Sequence, residues 1–64
     1  MPVVEVSFFE GHSEEERRNL VRSVTEAVAR VTGNDPEAVH VILREIKKDN
    51  WALGGKLWDE RPAK

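Results

Sequence analysis

The chain has 64 residues, a formal net charge of −2 and no cysteine, which excludes disulfides and thiolate metal sites. A domain this small buries only about 60% of the surface its unfolded chain exposes, so oligomerisation is the stabiliser we expect. The interspersed charges lack the basic stripe of a nucleic-acid-binding protein, and no apolar run reaches the ~20 residues of a membrane span.

The first predicted element is a β-strand over Val3–Phe9, where β-formers alternate with two polar residues. Side chains alternate between the two faces of a strand. One face carries Val4, Val6 and Phe8; the other carries Val3, Glu5, Ser7 and Phe9. The second face is mixed rather than polar. We therefore expect a helix to cover one face and another subunit to cover the other.

A helix is predicted from about Glu14 to about Thr32. Ser13 and Glu16 form the S-x-x-E capping-box pattern, and Gly33 is suited to end the helix. The apolar positions form one stripe at helical period: Leu20, Val21, Val24, Ala27, Val28 and Val31. This stripe is the face that we expect to pack on the sheet.

The second half of the chain predicts a short turn, a strand and a hairpin. Asp35-Pro36 is a helix-start signal, and β-formers follow over Val39–Ile46. A small hairpin is expected around Gly54-Gly55, with a polar, frayed tail over Asp59–Lys64. Strand, long helix and strand predict one α+β domain over residues 1–64, a β-α-β unit with parallel strands.

The residues in this order resemble the 4-oxalocrotonate tautomerase family. The likeness rests on Met1-Pro2 leading into a strand, on the strand ending Phe9-Glu10-Gly11, and on the segments Val39–Glu45 and Asn50–Lys56, the latter containing Trp-x-x-Gly-Gly. It covers about residues 2–58. The resemblance implies a β-α-β subunit with a C-terminal hairpin, pairing into a dimer with a four-stranded sheet, and three such dimers in a homohexamer.

The resemblance also implies an isomerase chemistry. Family members lose the initiating Met, and the exposed prolyl nitrogen, here Pro2, acts as general base on an enol or unsaturated 2-oxo acid, with no metal or organic cofactor. Trp51 would be the apolar wall of the pocket, and the backbone N–H of Phe9 would lie near the substrate. We expect no nucleic-acid or membrane partner and, since no targeting signal is evident, a cytoplasmic location.

The chain departs from the family pattern at two positions that usually hold arginine. His12 and His40 stand there. In the family these arginines bind substrate carboxylates and polarise the carbonyl. A neutral histidine offers one hydrogen-bond donor, whereas the guanidinium of arginine is charged and offers several. The resemblance therefore implies His12 and His40 as substrate-binding residues, and the departure predicts poor use of a dicarboxylate.

Each candidate residue also has a purely structural interpretation. Pro2 could simply open a strand, His12 could be a loop residue before the helix cap, and the tryptophans Trp51 and Trp58 could pack at an interface or against the tail. Two other functions stay open. One is a hydrating dehalogenase on the same scaffold, with Pro2 cationic and acting as acid; the other is a non-catalytic oligomer.

Overall fold

A computed structural model describes residues 1–60. It contains strand β1 (Val3–Phe9), helix α1 (Glu14–Thr32), strand β2 (His40–Ile46) and a hairpin of two short strands, β3 (Ala52–Leu53) and β4 (Lys56–Leu57). Three single 3₁₀ turns connect or follow them, at Pro36–Ala38, Lys48–Asn50 and Trp58–Glu60. The predicted β-α-β unit with a C-terminal hairpin is confirmed.

The strands β1 and β2 pair in parallel over their full length. The register runs from Val3 opposite His40 to Phe9 opposite Ile46. The ladder continues one residue beyond each end, because the His40 N–H donates to the Pro2 carbonyl (2.9 Å) and the Glu10 N–H donates to the Ile46 carbonyl (3.0 Å). Both ends of β1 are therefore held against β2.

Helix α1 begins and ends at the predicted residues, with its caps formed. The Ser13 hydroxyl accepts from the Glu16 N–H (3.1 Å), and the Glu16 carboxylate accepts from the Ser13 N–H (2.8 Å). Gly33 ends the helix at φ 74°, a left-handed conformation that a residue without Cβ adopts at low cost. These local bonds satisfy amide groups that the first helical turn otherwise leaves without partners.

Two boundaries differ from the sequence-based expectation. Strand β2 begins at His40 rather than Val39, because the Val39 N–H closes the 3₁₀ turn by donating to the Pro36 carbonyl (3.2 Å). At the start of the polar, frayed tail predicted over Asp59–Lys64, the residues are polar and exposed, but Trp58–Glu60 form a 3₁₀ turn rather than a frayed segment. The rest of that predicted tail, residues 61–64, lies outside the described residues.

The two faces of the sheet differ in how far they are shielded from solvent. The side chains at Val4, Val6 and Phe8 are half-buried on the face toward α1, while Val3 and Ile42 on the other face are 55% and 42% exposed. That open face also carries an ion pair between Arg44 and Glu5 (3.1 Å). Among residues 1–60, no side chain is fully enclosed. A single chain therefore has an incomplete hydrophobic core, because helix α1 covers only one face of the sheet.

Candidate active site

The amino-terminal end of the sheet places Pro2 beside the main chain of His40. Pro2 is half-buried, and its carbonyl accepts the His40 N–H described above. The contact joins main chains. The His40 imidazole belongs to the open face, because His40 is the register partner of Val3, and it is exposed. The parallel pairing thus holds Pro2 in one position at the edge of the sheet.

The carboxyl end of the sheet carries an aromatic cluster. The Phe9 ring lies 4.5 Å from the Trp51 ring and 5.1 Å from the Trp58 ring, centroid to centroid, both tilted. The Trp58 N–H donates to the Trp51 carbonyl (2.7 Å), which ties the chain on both sides of the hairpin together. Offset and tilted ring pairs at such separations attract one another beyond their buried area. Phe9, Trp51 and Trp58 form what we call the aromatic cluster.

The hairpin that links the two tryptophans depends on its turn. Gly54 and Gly55 both have positive φ, 65° and 83°, the backbone of a two-residue hairpin loop. This turn lets β4 fold back on β3, with Ala52 opposite Leu57. Trp58 therefore returns to the same side as Trp51. The sequence pattern located the hairpin but not the packing of Trp58 on Phe9.

Lys48 is part of this end of the molecule and was not singled out in the sequence. Its ammonium lies 5.8 Å from the centroid of the Phe9 ring, within the range of a cation–π contact. The Lys47-Lys48 pair looked only like a polar break after β2, and no pattern in the sequence pointed to a ring beneath it. A groove of about 640 Å³ adjoins this corner, lined by Glu10, Gly11, Lys47, Lys48, Asp49 and Asp59.

His12 lies on the opposite side of the sheet from the aromatic cluster. Its ring is 5.2 Å from Phe8, which faces the helix, and its Nδ1 lies 3.4 Å from the Glu16 carboxylate. A cavity of about 230 Å³ is lined there by Phe8, His12, Glu16, Arg17 and Leu20. The Ser13 N–H, with a smaller contribution from His12, lowers the pKa of Glu16 below its ordinary value. His12 thus contacts the first turn of helix α1 through the Glu16 carboxylate.

Four of the five predicted site residues fall into two groups within one chain, and the fifth, His12, lies apart on the helix side. Pro2 and His40 lie at one end of β1, and Phe9 and Trp51 lie at the other. Seven residue steps of about 3.3 Å separate Pro2 from Phe9, roughly 23 Å along the strand. A small substrate does not span that distance, so the two groups of residues cannot contact one small molecule within a single chain. Across the described part of the chain, no cluster of three or more His, Cys, Asp or Glu side chains has a geometry for a metal ion.

Comparison with known proteins identifies the family to which this architecture belongs. The sequence pattern of the family described as "Tautomerase enzyme" matches residues 2–61, nearly the whole chain. The chain belongs to the tautomerase family. A relative named 2-hydroxymuconate tautomerase, from Bacillus subtilis, is 46% identical over 56 residues, 88% of this chain and 90% of that protein.

Solved structures of tautomerases share the fold. A crystal structure described as a homologue of 4-oxalocrotonate tautomerase superposes with a TM-score of 0.89 at 41% identity, covering 95% of this chain and 100% of the other. A 4-oxalocrotonate tautomerase from Chloroflexus aurantiacus, described as a heterohexamer, gives 0.87 at 27% identity over 94% and 97% of the two chains. The expected β-α-β tautomerase fold and membership of an isomerase family are confirmed. None of the helices in residues 1–60 has the length and apolar character needed to cross a membrane.

Proposed function

We propose that this tautomerase isomerises an enol or unsaturated 2-oxo acid, with the amine of Pro2 as general base after removal of Met1. The observation that carries the proposal is the anchored Pro2, whose carbonyl is tied to β2 at 2.9 Å in a chain of the tautomerase family. A base acts efficiently when its position is fixed relative to the proton it takes. With Met1 attached, the prolyl nitrogen is an amide and has no basic lone pair.

The chemistry suits a secondary amine near neutral pH. A free α-amino group has a pKa of about 7.7–8.0, and apolar surroundings lower it further. In the proposed step the prolyl nitrogen takes the enol hydroxyl proton, the C=C electrons shift as the carbonyl forms, and the protonated nitrogen returns the proton to carbon. The proton count is unchanged, and the step needs no oxidant or organic cofactor.

We propose further that the complete site is formed between copies of the chain. Pro2 and the aromatic cluster lie roughly 23 Å apart in one copy at about 3.3 Å per residue, so the aromatic wall facing each Pro2 would come from a neighbouring copy. The uncovered sheet face with Val3 and Ile42 supports such an assembly, because association would cover exposed apolar surface. A homohexamer is the form we propose, in view of the heterohexameric relative; a stable folded monomer in sedimentation at micromolar concentration would refute it.

Within the shared site, His40 and His12 are proposed to contact substrate carboxylates, Trp51 to form the apolar wall and the Phe9 N–H to lie near the substrate. The 2-hydroxymuconate tautomerase relative makes a conjugated C6 dicarboxylate the first substrate to test. The cytoplasm remains the predicted location.

The experiment combines a mass measurement with an ultraviolet assay. The mass of the purified chain is expected to match a polypeptide beginning at Pro2, and that protein is expected to isomerise phenylenolpyruvate and, less efficiently, 2-hydroxymuconate. A pH titration of the Pro2 amine then distinguishes the two candidate enzymes. A pKa above 8 would favour the hydrating dehalogenase, in which Pro2 acts as an acid. A Pro2-started oligomer inactive on both acids would contradict the proposed isomerase.

A further inference from the structure

We propose that Lys48 is a specificity-determining residue that binds a substrate carboxylate at the edge of the aromatic cluster. The inference rests on the proposed function, because it concerns the acid that the cluster would face. The observation is a juxtaposition: the Lys48 ammonium lies 5.8 Å from the centre of the Phe9 ring, and Phe9 packs on Trp51 at 4.5 Å. A cation at the rim of an apolar aromatic wall suits a molecule with a conjugated body and an anionic end.

The side of the sheet on which each residue lies determines whether Lys48 or His12 could bind an anion next to the aromatic cluster. Phe8 and Phe9 point to opposite faces, since side chains alternate along a strand. His12 lies with Phe8 and is within 3.4 Å of the Glu16 carboxylate. Lys48 lies with Phe9. Of these two candidates, the one on the same side as the aromatic cluster is therefore Lys48. Arg44 also lies on this face, but its guanidinium is paired with the Glu5 carboxylate (3.1 Å).

The ammonium of Lys48 is available for a ligand. In residues 1–60, no carboxylate oxygen comes within 4.0 Å of it, whereas the ion pairs found engage His12, Arg17, Arg18 and Arg44. Its ammonium lies over the Phe9 ring, and a cation that binds a ring face keeps donors free for an anion.

The charge around the adjoining groove restricts where an anion would bind. Three carboxylates, those of Glu10, Asp49 and Asp59, share the groove with Lys47 and Lys48. A dianion entering the groove would meet more negative than positive groups. On the ring side it would meet the neutral cluster and the Lys48 ammonium. The carboxylate is thus expected at the Phe9 edge, and Lys47, which lines the groove without contacting the ring, provides a matched control.

The test measures binding of two inert C6 acids by calorimetry. Adipate has two carboxylates and hexanoate has one, and neither carries an enol. Lys48→Met keeps most of the side-chain stem but removes the charge. It is expected to weaken adipate binding about 10-fold, the low end for loss of one charge-assisted hydrogen bond, and hexanoate binding less. Lys48→Arg is expected to retain adipate binding, and Lys47→Met to change it less than twofold. Circular dichroism and sedimentation of each variant verify folding and assembly.

Kinetics separate this inference from the proposed function. If the wild type isomerises the acids and Lys48→Met lowers kcat/KM for 2-hydroxymuconate relative to phenylenolpyruvate, both stand. Turnover with an unchanged ratio and unchanged adipate affinity overturns the role of Lys48 and leaves the isomerase intact. Absent turnover with a Lys48-dependent adipate affinity refutes the isomerase and supports the anion site. An equal loss of affinity in Lys47→Met, or no adipate binding by the wild type, also overturns the inference.

Discussion

The two ends of strand β1 are built in different ways. At the amino-terminal end, Pro2 is held by one main-chain hydrogen bond to His40. At the carboxyl end, the Phe9 ring contacts the side chains of three later residues, Lys48, Trp51 and Trp58. The first end fixes one residue in a defined place, and the second forms an aromatic surface with a cation at its edge. Under the proposed function each end supplies part of a site, so catalysis would use more than one copy.

The largest effect is expected from removing the base at the amino-terminal end. Pro2→Ala, or a form that retains Met1, should lose roughly 10²-fold or more in kcat, the scale of general-base catalysis. Stopped-flow or steady-state ultraviolet assays give kcat, and the N-terminal mass verifies each form. If both proteins turn over substrate as fast as the wild type, Pro2 is not the catalytic base.

Mixing two inactive variants tests whether the two ends act across copies. Pro2→Ala lacks the base and Trp51→Ala lacks the wall. If each site uses one end from each of two copies, random reassembly should restore roughly a quarter of the sites. The activity of the mixture after dissociation and reassociation is compared with that of each variant treated alone. A mixture no more active than the average of its parents would indicate that both ends act within one chain.

Exchanging the histidines for arginine tests the carboxylate contacts at both ends. A charge-assisted hydrogen bond contributes about 1.5–3 kcal/mol, or about 10- to 100-fold in affinity. His40→Arg is expected to raise kcat/KM for 2-hydroxymuconate more than for phenylenolpyruvate. His12→Arg is expected to do so less, because position 12 lies beside Phe8 and Glu16 on the helix side.

The same ratio of substrates should respond to pH in the wild type. Imidazoles gain charge as the pH falls from about 8 to about 6, which favours the dicarboxylate. Protonation of Pro2 slows both reactions, so the ratio is the informative quantity. A ratio that stays constant over this range and in both arginine variants would show that the histidines do not bind carboxylates.

The smallest effect is expected on stability, at the capping box where helix α1 begins. Ser13→Ala should cost about 1 kcal/mol of unfolding free energy. The pKa of Glu16 is lowered in the folded chain, chiefly by the Ser13 N–H. The stabilisation by its carboxylate is therefore present above the unfolded-state pKa and is lost as pH falls through the folded-state pKa.

Urea melts at a fixed protomer concentration, at neutral and acidic pH, measure this cap effect. Glu16→Gln should flatten the acidic part of the pH dependence. Glu15→Gln is the matched control, since it removes a neighbouring charge of the first turn that takes no part in the capping box. Equal changes in the two variants would assign the effect to general charge near the helix start.

Local patterns predicted the elements of the fold and missed details that depend on neighbours. The bounds of β1 and α1 follow from alternation and capping, which act over a few residues. The start of β2 was one residue early, because a 3₁₀ turn closed by the Val39 N–H precedes it. The packing of Trp58 on Phe9 was not predicted, and its expected position at an interface or against the tail stays a prediction. The membership of the tautomerase family was predicted from the order of its motifs.

The sequence by itself determined the β-α-β unit, the hairpin at Gly54-Gly55 and the family, because these depend on short-range periodicity and on the order of motifs. It did not determine which candidate residues meet. Only the tertiary structure separated Pro2 from Trp51, put His12 on the helix side and brought Lys48 over Phe9. These placements depend on strand register and on long-range ring packing, in which residues far apart along the chain come into contact.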